Sequence, residues 1–258
     1  MAEVNRLHFN EEASTYDAKH NKLNERLTKE IQARLDWIGV EWANTDDDDS
    51  DDDKDEDEIE SGENPELAIP KREVRLLDYA CGTGMMTRAL APYTTQCVGI
   101  DISENMVAAY NCVARNQGLS RDEMHAVVGD LVAAQPPAAL ADPRLFGFDL
   151  ATVGGGLHHF ADPELASERL VQRLRPGGVL LVWDFLPHGH AGHHAVLHHG
   201  LSEDRVRAMF EKAGAGEGFS LEVLGSGVSP GYHHAHGEHG DREVIKRQIF
   251  LARGRKAA

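Results

Sequence analysis

Residues 76–87 read LLDYACGTGMMT, and this stretch decides how the chain is read. An apolar run ends in Asp78, and small residues crowd together before the polarity pattern changes. That order describes a strand entering a tight turn and then a helix. Ligands of open α/β sheets bind beyond the carboxyl ends of the strands, at such turns. Gly82 and Gly84 leave the main chain bare, so a ligand can approach it closely. A helix beginning near Met85 would offer N–H groups to an anionic or carboxylate-bearing ligand. The dinucleotide fingerprint Gly-x-Gly-x-x-Gly is not met, because Arg88 and Ala89 stand where a third glycine could sit. A Gly-Lys-Ser/Thr phosphate loop is missing as well.

Downstream the same rhythm repeats. VRLLDY, QCVGID, MHAVVGD, FDLATV and GVLLVWDF alternate with helical segments such as SENMVAAYNCVARNQG and DPELASERLVQRLRPGG. Strands alternating with crossover helices imply a parallel sheet covered on both faces. FSLEVLGSGVS and REVIKRQIFLARG add two strands, expected as an antiparallel pair at the sheet edge. Upstream, Phe9 to Trp42 reads as one helix, with Leu23, Leu27, Ile31, Leu35 and Ile38 on a single face. The expected organisation is a helical cap over 1–43, an acidic insert and linker over 44–70, and a doubly wound α/β domain over 71–258.

The chain has 258 residues, 41% of them hydrophobic, which suits one generous domain. Its net charge of −17 is concentrated in DDDDSDDDKDEDEIE, residues 46–60. A block of like charge repels itself and buries no apolar surface, so disorder is expected there. It reads either as a solubilising insert or as a tail for basic partners such as histones. Neither part carries the basic face of a nucleic-acid binder. No apolar run is long enough to cross a bilayer. The opening MAEVNRLHFNEEAS lacks the features of a secretory signal. Three cysteines without CxxC spacing suit a reducing compartment. A cytoplasmic location is expected, with the nucleus as a second one.

The candidate site builds on the loop. Asp101 closes the second strand roughly 20 residues after the glycines, where an acid can accept two hydrogen bonds from a ribose diol. Asp130 follows the third strand and could hold the exocyclic amine of an adenine; alone it would read as a helix cap.

LLDYACGTGMMT, VGIDISENM, VVGDL, FDLATVGGGLHHF and LRPGGVLLVWDF stand in the order that resembles class I S-adenosylmethionine-dependent methyltransferases, closest to the small-molecule group with a type 11/12/25 domain. The likeness covers about residues 74–253. It implies seven strands in the order 3-2-1-4-5-7-6 with strand 7 antiparallel, and S-adenosylmethionine as cofactor. Asp78, Ala80, Gly82 and Gly84 would surround its amino-acid part, with Asp78 reaching the ammonium directly or through water. Asp101 would hold the ribose, Ile102 and Met106 would meet the adenine ring, and Asp130 and Leu131 would close the adenine side. Val153 and Gly154 would line the path to the methyl group. FNEEASTYD resembles a cofactor-covering element, which sends Tyr16 to the methionyl end while Phe9 and Ala13 pack. Ala80 departs from the family's usual glycine. Cys81, without a basic neighbour in sequence, reads as a small buried filler.

Methyl transfer from a sulfonium needs a base only when the acceptor must lose a proton, so the sequence speaks to the donor more than to the acceptor. His158 and His159 follow the fourth strand, where an imidazole could act as base or orient the acceptor. Packing against the following helix is an equal account of them. His198 and His199, in a stretch resembling the substrate-capping loop of relatives, are the stronger acceptor-site candidates. His233, His234, His236 and His239 have spacing that can ligate zinc, yet a surface loop explains them more simply, and no metal is assigned. The expected activity is methylation of a small molecule at O, N or S. The alternatives are a histone-like protein methyltransferase steered by the acidic insert, and a catalytically idle binding subunit.

Overall fold

The computed structural model describes residues 2–43, 72–188, 196–224 and 247–258. The acidic block 46–60, His190, His193, His194 and the four histidines of 233–239 lie outside them. Runs that are apolar on both faces become buried strands. β1 (Arg75–Tyr79), β2 (Gln96–Asp101), β3 (Met124–Val128), β4 (Phe148–Gly154) and β5 (Leu174–Phe185) are parallel; β6 (Glu217–Leu224) and β7 (Ile249–Arg255) complete the sheet. The order is β3-β2-β1-β4-β5-β7-β6, with β7 antiparallel to both its neighbours, as expected.

Strand order reverses at β1, which pairs with β2 on one side and β4 on the other. The register sets Tyr79 opposite both Ile100 and Val153. The three loops that follow these residues therefore open at one level, at the topological switch point where α/β sheets bind ligands.

The segment read as one helix is three: α1 (Ala2–Glu12), α2 (Tyr16–Gln32) and α3 (Leu35–Ile38). The first interruption falls at Ala13-Ser14-Thr15, where the Thr15 hydroxyl bonds the Glu12 carbonyl at 3.3 Å. Serine and threonine favour such local bonds over helix interiors. Leu23, Leu27 and Ile31 bury the apolar face of α2 in the same core cluster as Met86, Ala89 and Leu90. The cap thus shares its core with the sheet. α4 (Met85–Leu90) and α5 (Glu104–Asn116) cover the same face, while α6 (Pro163–Val171) and α7 (Glu203–Ala213) pack on the other. Serine or aspartate caps start three of these helices: Ser103 accepts from the Met106 N–H, Asp162 from Leu165 and Ser202 from Arg205.

The turn after β1 is left-handed at three places: Ala80 (φ 52°), Gly82 (φ 52°) and Gly84 (φ 92°). Alanine in that conformation costs roughly 1–2 kcal/mol, more than the ~0.4–1 kcal/mol that glycine costs through the unfolded chain. Ala80→Gly is therefore expected to raise stability by about 0.5–1 kcal/mol. At Gly84 a Cβ would lie 2.9 Å from the Tyr110 ring, so Gly84→Ala is expected to cost about 2–4 kcal/mol through strain and overpacking. Urea denaturation of both variants checks the two signs.

Candidate functional site

Asp101 is the organising group. Its Oδ2 accepts the Gly82 N–H at 2.8 Å and its Oδ1 the Ser103 N–H at 2.8 Å. The carboxyl is buried, 7% exposed, and burial pushes its pKa up against these two backbone donors. Each oxygen has capacity for a second hydrogen bond. A side chain added at Gly82 would meet no protein atom within 4 Å; the space beside it is a cavity.

That cavity has a volume of about 250 Å³ and opens over the carboxyl ends of β1, β2 and β4. Ala80, Gly82, Asp101, Ile102 and Met106 line its floor, Asp130, Val132 and Ala133 one end, and Tyr16 and Phe9 the cap side. Gly154, Gly155, Gly156, His159 and Phe160 form the end beside β4. α1 lies across the mouth: Arg6 makes two bonds to the Glu104 carboxylate at 2.8 and 2.9 Å, and Asn10 accepts from the Ser103 hydroxyl at 2.6 Å. Asp17, next to Tyr16, accepts the Thr83 hydroxyl at 2.6 Å and so ties α2 to the loop.

These residues fit a nucleoside with a charged amino-acid tail. A ribose diol needs the second lone pairs of Asp101, an adenine needs the apolar Ile102 and Met106 with the polar Asp130, and the tail needs the bare main chain at Gly82. Tyr79 holds Asp130 in place, donating its hydroxyl to Asp130 Oδ1 at 3.2 Å.

Four expected contacts do not reach the cavity. Asp78 is 1% exposed beneath the loop, where the Thr87 N–H and hydroxyl and the Thr152 hydroxyl donate to it. Burial raises its pKa to about 7. It fastens α4 to β1, and it takes one of the N–H groups expected to face a ligand. Gly84 leaves room for the Tyr110 ring. Leu131 and Val153 are buried in the core on the α6 and α7 face, Val153 because side chains alternate along β4; Val132 and Gly154 line the cavity in their places. The Cys81 thiol is buried, which pushes its pKa well up and leaves it un-ionised.

Of the four histidine candidates only His159 lines the cavity. His158 is buried behind it, its Nδ1 2.8 Å from Asp184 Oδ1 and its N–H donating to Asp184 Oδ2 at 3.1 Å. Asp184 is fully buried. Burial opposes its ionisation, but His158 and the His158 and Phe185 N–H groups outweigh that and hold its pKa below the ordinary value. The two imidazoles pack with centroids 4.0 Å apart and planes tilted by 39°. His198 and His199, the stronger expectation, are not among the lining residues. Arg205 donates to His198 Nδ1 at 3.3 Å, and His199 faces His188 edge-on at 6.2 Å.

Sequence reasoning missed Asp184, although an acid inside the apolar run GVLLVWDF was a signal for a buried partner. It also missed Asn5 and Asp17, which a polar cap helix does not single out.

The methyltransferase-domain family matches residues 77–180. An uncharacterized methyltransferase of Schizosaccharomyces pombe is 30% identical over 166 residues, 60% of this chain and 57% of that protein. The demethylmenaquinone methyltransferase of Thermus thermophilus is 34% identical over 125 residues, 47% of this chain and 52% of that protein. The chain thus spans about half the length of the curated relatives it matches. The crystal structure of the YcgJ protein of Bacillus subtilis shares the fold, with a TM-score of 0.55 at 18% identity over 72% of this chain and 93% of that one. The switch-point loop, the strand order and the family match converge on one assignment: residues 77–180 form a methyltransferase domain, on a sheet with the class I S-adenosylmethionine-dependent methyltransferase order.

Proposed function

We propose that this protein transfers a methyl group from S-adenosylmethionine to a small-molecule acceptor at O, N or S. The observation that carries the reading is the buried Asp101 carboxylate, held by the Gly82 and Ser103 N–H groups at the edge of a cavity that bare backbone keeps open. When bound, S-adenosylmethionine supplies a methyl group on a sulfonium, already activated for in-line displacement.

The chain's own residues provide orientation and shelter from water. Asp101 grips the ribose hydroxyls, Ile102 and Met106 flank the base, and Asp130 receives the adenine amine. Tyr16 meets the methionyl end from the cap. With the acids at the ends of β2 and β3 holding the nucleoside, the end beside β4 would be left for the acceptor. There the His159 imidazole is placed to take the acceptor's proton. His158 acts as a positioning residue: Asp184 clamps its ring and its backbone, and this fixes the turn that aims His159. α1 closes the mouth, which strengthens every electrostatic contact inside. A cytoplasmic site of action belongs to the same proposal.

The alternative of protein methylation draws on the acidic stretch 46–60, which lies outside the described residues. Deleting it is expected to leave the Kd for S-adenosylmethionine unchanged within about two-fold, read by calorimetry. Asp101→Ala is expected to weaken that binding by roughly 1.5–3 kcal/mol per charged hydrogen bond lost; equal affinity in the variant would overturn the assignment. The carboxylate form is needed to accept two hydroxyls, and burial raises the Asp101 pKa. Affinity is therefore expected to fall on acidification through a pH above the ordinary aspartate value of 3.8, as a titration series across pH would record. His159→Phe should leave cofactor affinity intact while methyl transfer to an acceptor that loses a proton falls about 10²-fold or more.

A further inference from the structure

α1 carries two pairs of side chains spaced i and i+4, and each pair serves a different end of the cavity. Asn5 and Phe9 form the first pair. Asn5, at 5% exposure, donates from Nδ2 to the His159 carbonyl at 2.9 Å. The Phe9 ring stands edge-on to the His159 ring, with centroids 5.2 Å apart and planes at 88°. Arg6 and Asn10 form the second pair. Arg6 holds the Glu104 carboxylate; Asn10 accepts the Ser103 hydroxyl at 2.6 Å and the Asn105 N–H at 3.0 Å, and donates to Glu104 at 2.8 Å. Residues four apart share a helix face, and adjacent residues are turned by about 100°. One helix of 11 residues therefore meets His159 with one face and the start of α5 with the next, where the Ser103 N–H donates to Asp101.

α1 is only lightly fastened. Asn5 is the one buried residue among its eleven, and Val4 and Leu7 are 46% and 51% exposed. Its attachment depends on bonds near the surface, which places it at the low-stability end of the structure. α2, by contrast, is fixed in the core through Leu23, Leu27 and Ile31. The break at Ala13-Ser14-Thr15 separates the two, so α1 can lift while α2 stays. Ala2, Asn5 and Phe9 of α1 line the cavity, and a molecule that fills it touches them only while α1 is docked. Such a ligand binds the docked state more tightly and shifts the population toward it.

We infer that α1 couples the two ends of the cavity: Asn5 and Phe9 are positioning residues for His159, and Arg6 and Asn10 make that positioning depend on the nucleoside end. When α1 lifts, His159 keeps the His158 ring behind it but loses the bond to its carbonyl and the ring against its imidazole. Occupancy beside Asp101 favours docking, and docking sets the imidazole that meets the acceptor. Cofactor therefore binds first and acceptor second. The inference rests on the methyltransferase reading and deepens it. Coupling between sites is reciprocal, so whatever loosens α1 at His159 also weakens the ligand at Asp101.

Full-length protein isotope-labelled at histidine Cε1 reports the coupling by NMR, with the His159 signal assigned from its loss in His159→Phe. The side-chain bonds of Asn10 go to Ser103, Glu104 and Asn105 and not to His159. In Asn10→Ala the His159 signal of the free protein is nonetheless expected to move, and to return toward its wild-type position on saturation with S-adenosylhomocysteine. The His125 signal, from β3, should stay in place and marks an intact fold. Phe9→Leu should displace the His159 signal, and Phe9→Tyr should keep it near the wild-type position. By calorimetry, Asn5→Ala and Asn10→Ala should each raise the S-adenosylhomocysteine Kd about five-fold or more, and the double variant by less than the product of the two. A His159 signal that Asn10→Ala leaves unmoved, one that it moves but the ligand does not restore, equal displacement by Phe9→Tyr and Phe9→Leu, or Kd effects that multiply independently overturns the inference. Wild-type protein that fails to bind S-adenosylhomocysteine removes the methyltransferase reading instead, whereas binding with an unmoved His159 signal removes only the coupling.

Discussion

The hydrogen bonds from Gly82 and Ser103 to the Asp101 carboxylate hold the rest of the site in place. One carboxylate joins the loop after β1 to the end of β2. The Gly82 bond keeps a left-handed turn extended over the sheet instead of collapsing onto it. The Ser103 bond sets the backbone that begins α5, and the Ser103 hydroxyl in turn donates to Asn10 of the cap. Ligand acid, helix start and cap attachment therefore share three consecutive residues. Asparagine at 101 would present an amide N–H to one of the two backbone donors, so the fold requires a carboxylate at this position.

Around that anchor the cavity is chemically divided by strand order. Carboxylates stand at the ends of β2 and β3, and the described lining residues after β4 include none. The division follows from the reversal of strand order at β1: loops on either side of it belong to different parts of the chain. The buried Asp184 and His158 pair stabilises the β4 side without entering it. A fully buried carboxylate persists only when its lone pairs are engaged, and here an imidazole and two main-chain N–H groups engage them. The cap is held to the site by polar bonds, through Arg6, Asn10 and Asp17, and to the core by the apolar face of α2.

Much of this was legible in the chain itself. Short continuous apolar runs alternating with helical segments marked the strands, and the bare turn marked the switch point. Asp101 stood out by its distance from the glycines, and the order of motifs implied the sheet order. These signals are local, because the spacing of apolar residues sets the element and small residues set the turn. The single cap helix expected from periodicity was broken because Ser14 and Thr15 follow Ala13, a local cue that the apolar spacing of Leu23 to Ile38 outweighed.

What the sequence by itself determined is the order of strands and helices, the bare loop at the switch point and the acid that closes β2. Tertiary structure alone decided which side chains face the cavity. Val132 replaces Leu131 and Gly154 replaces Val153, since the direction of a side chain depends on how its strand meets its neighbours. His159 was selected over His158, His198 and His199 because Asp184, 26 residues away in sequence, claims His158, and Arg205 claims His198. Asn5 reached the site only through α1 folding back across 154 residues to His159. Contacts between groups so distant along the chain carry no periodic or spacing signal, because what brings them together is the packing of whole elements.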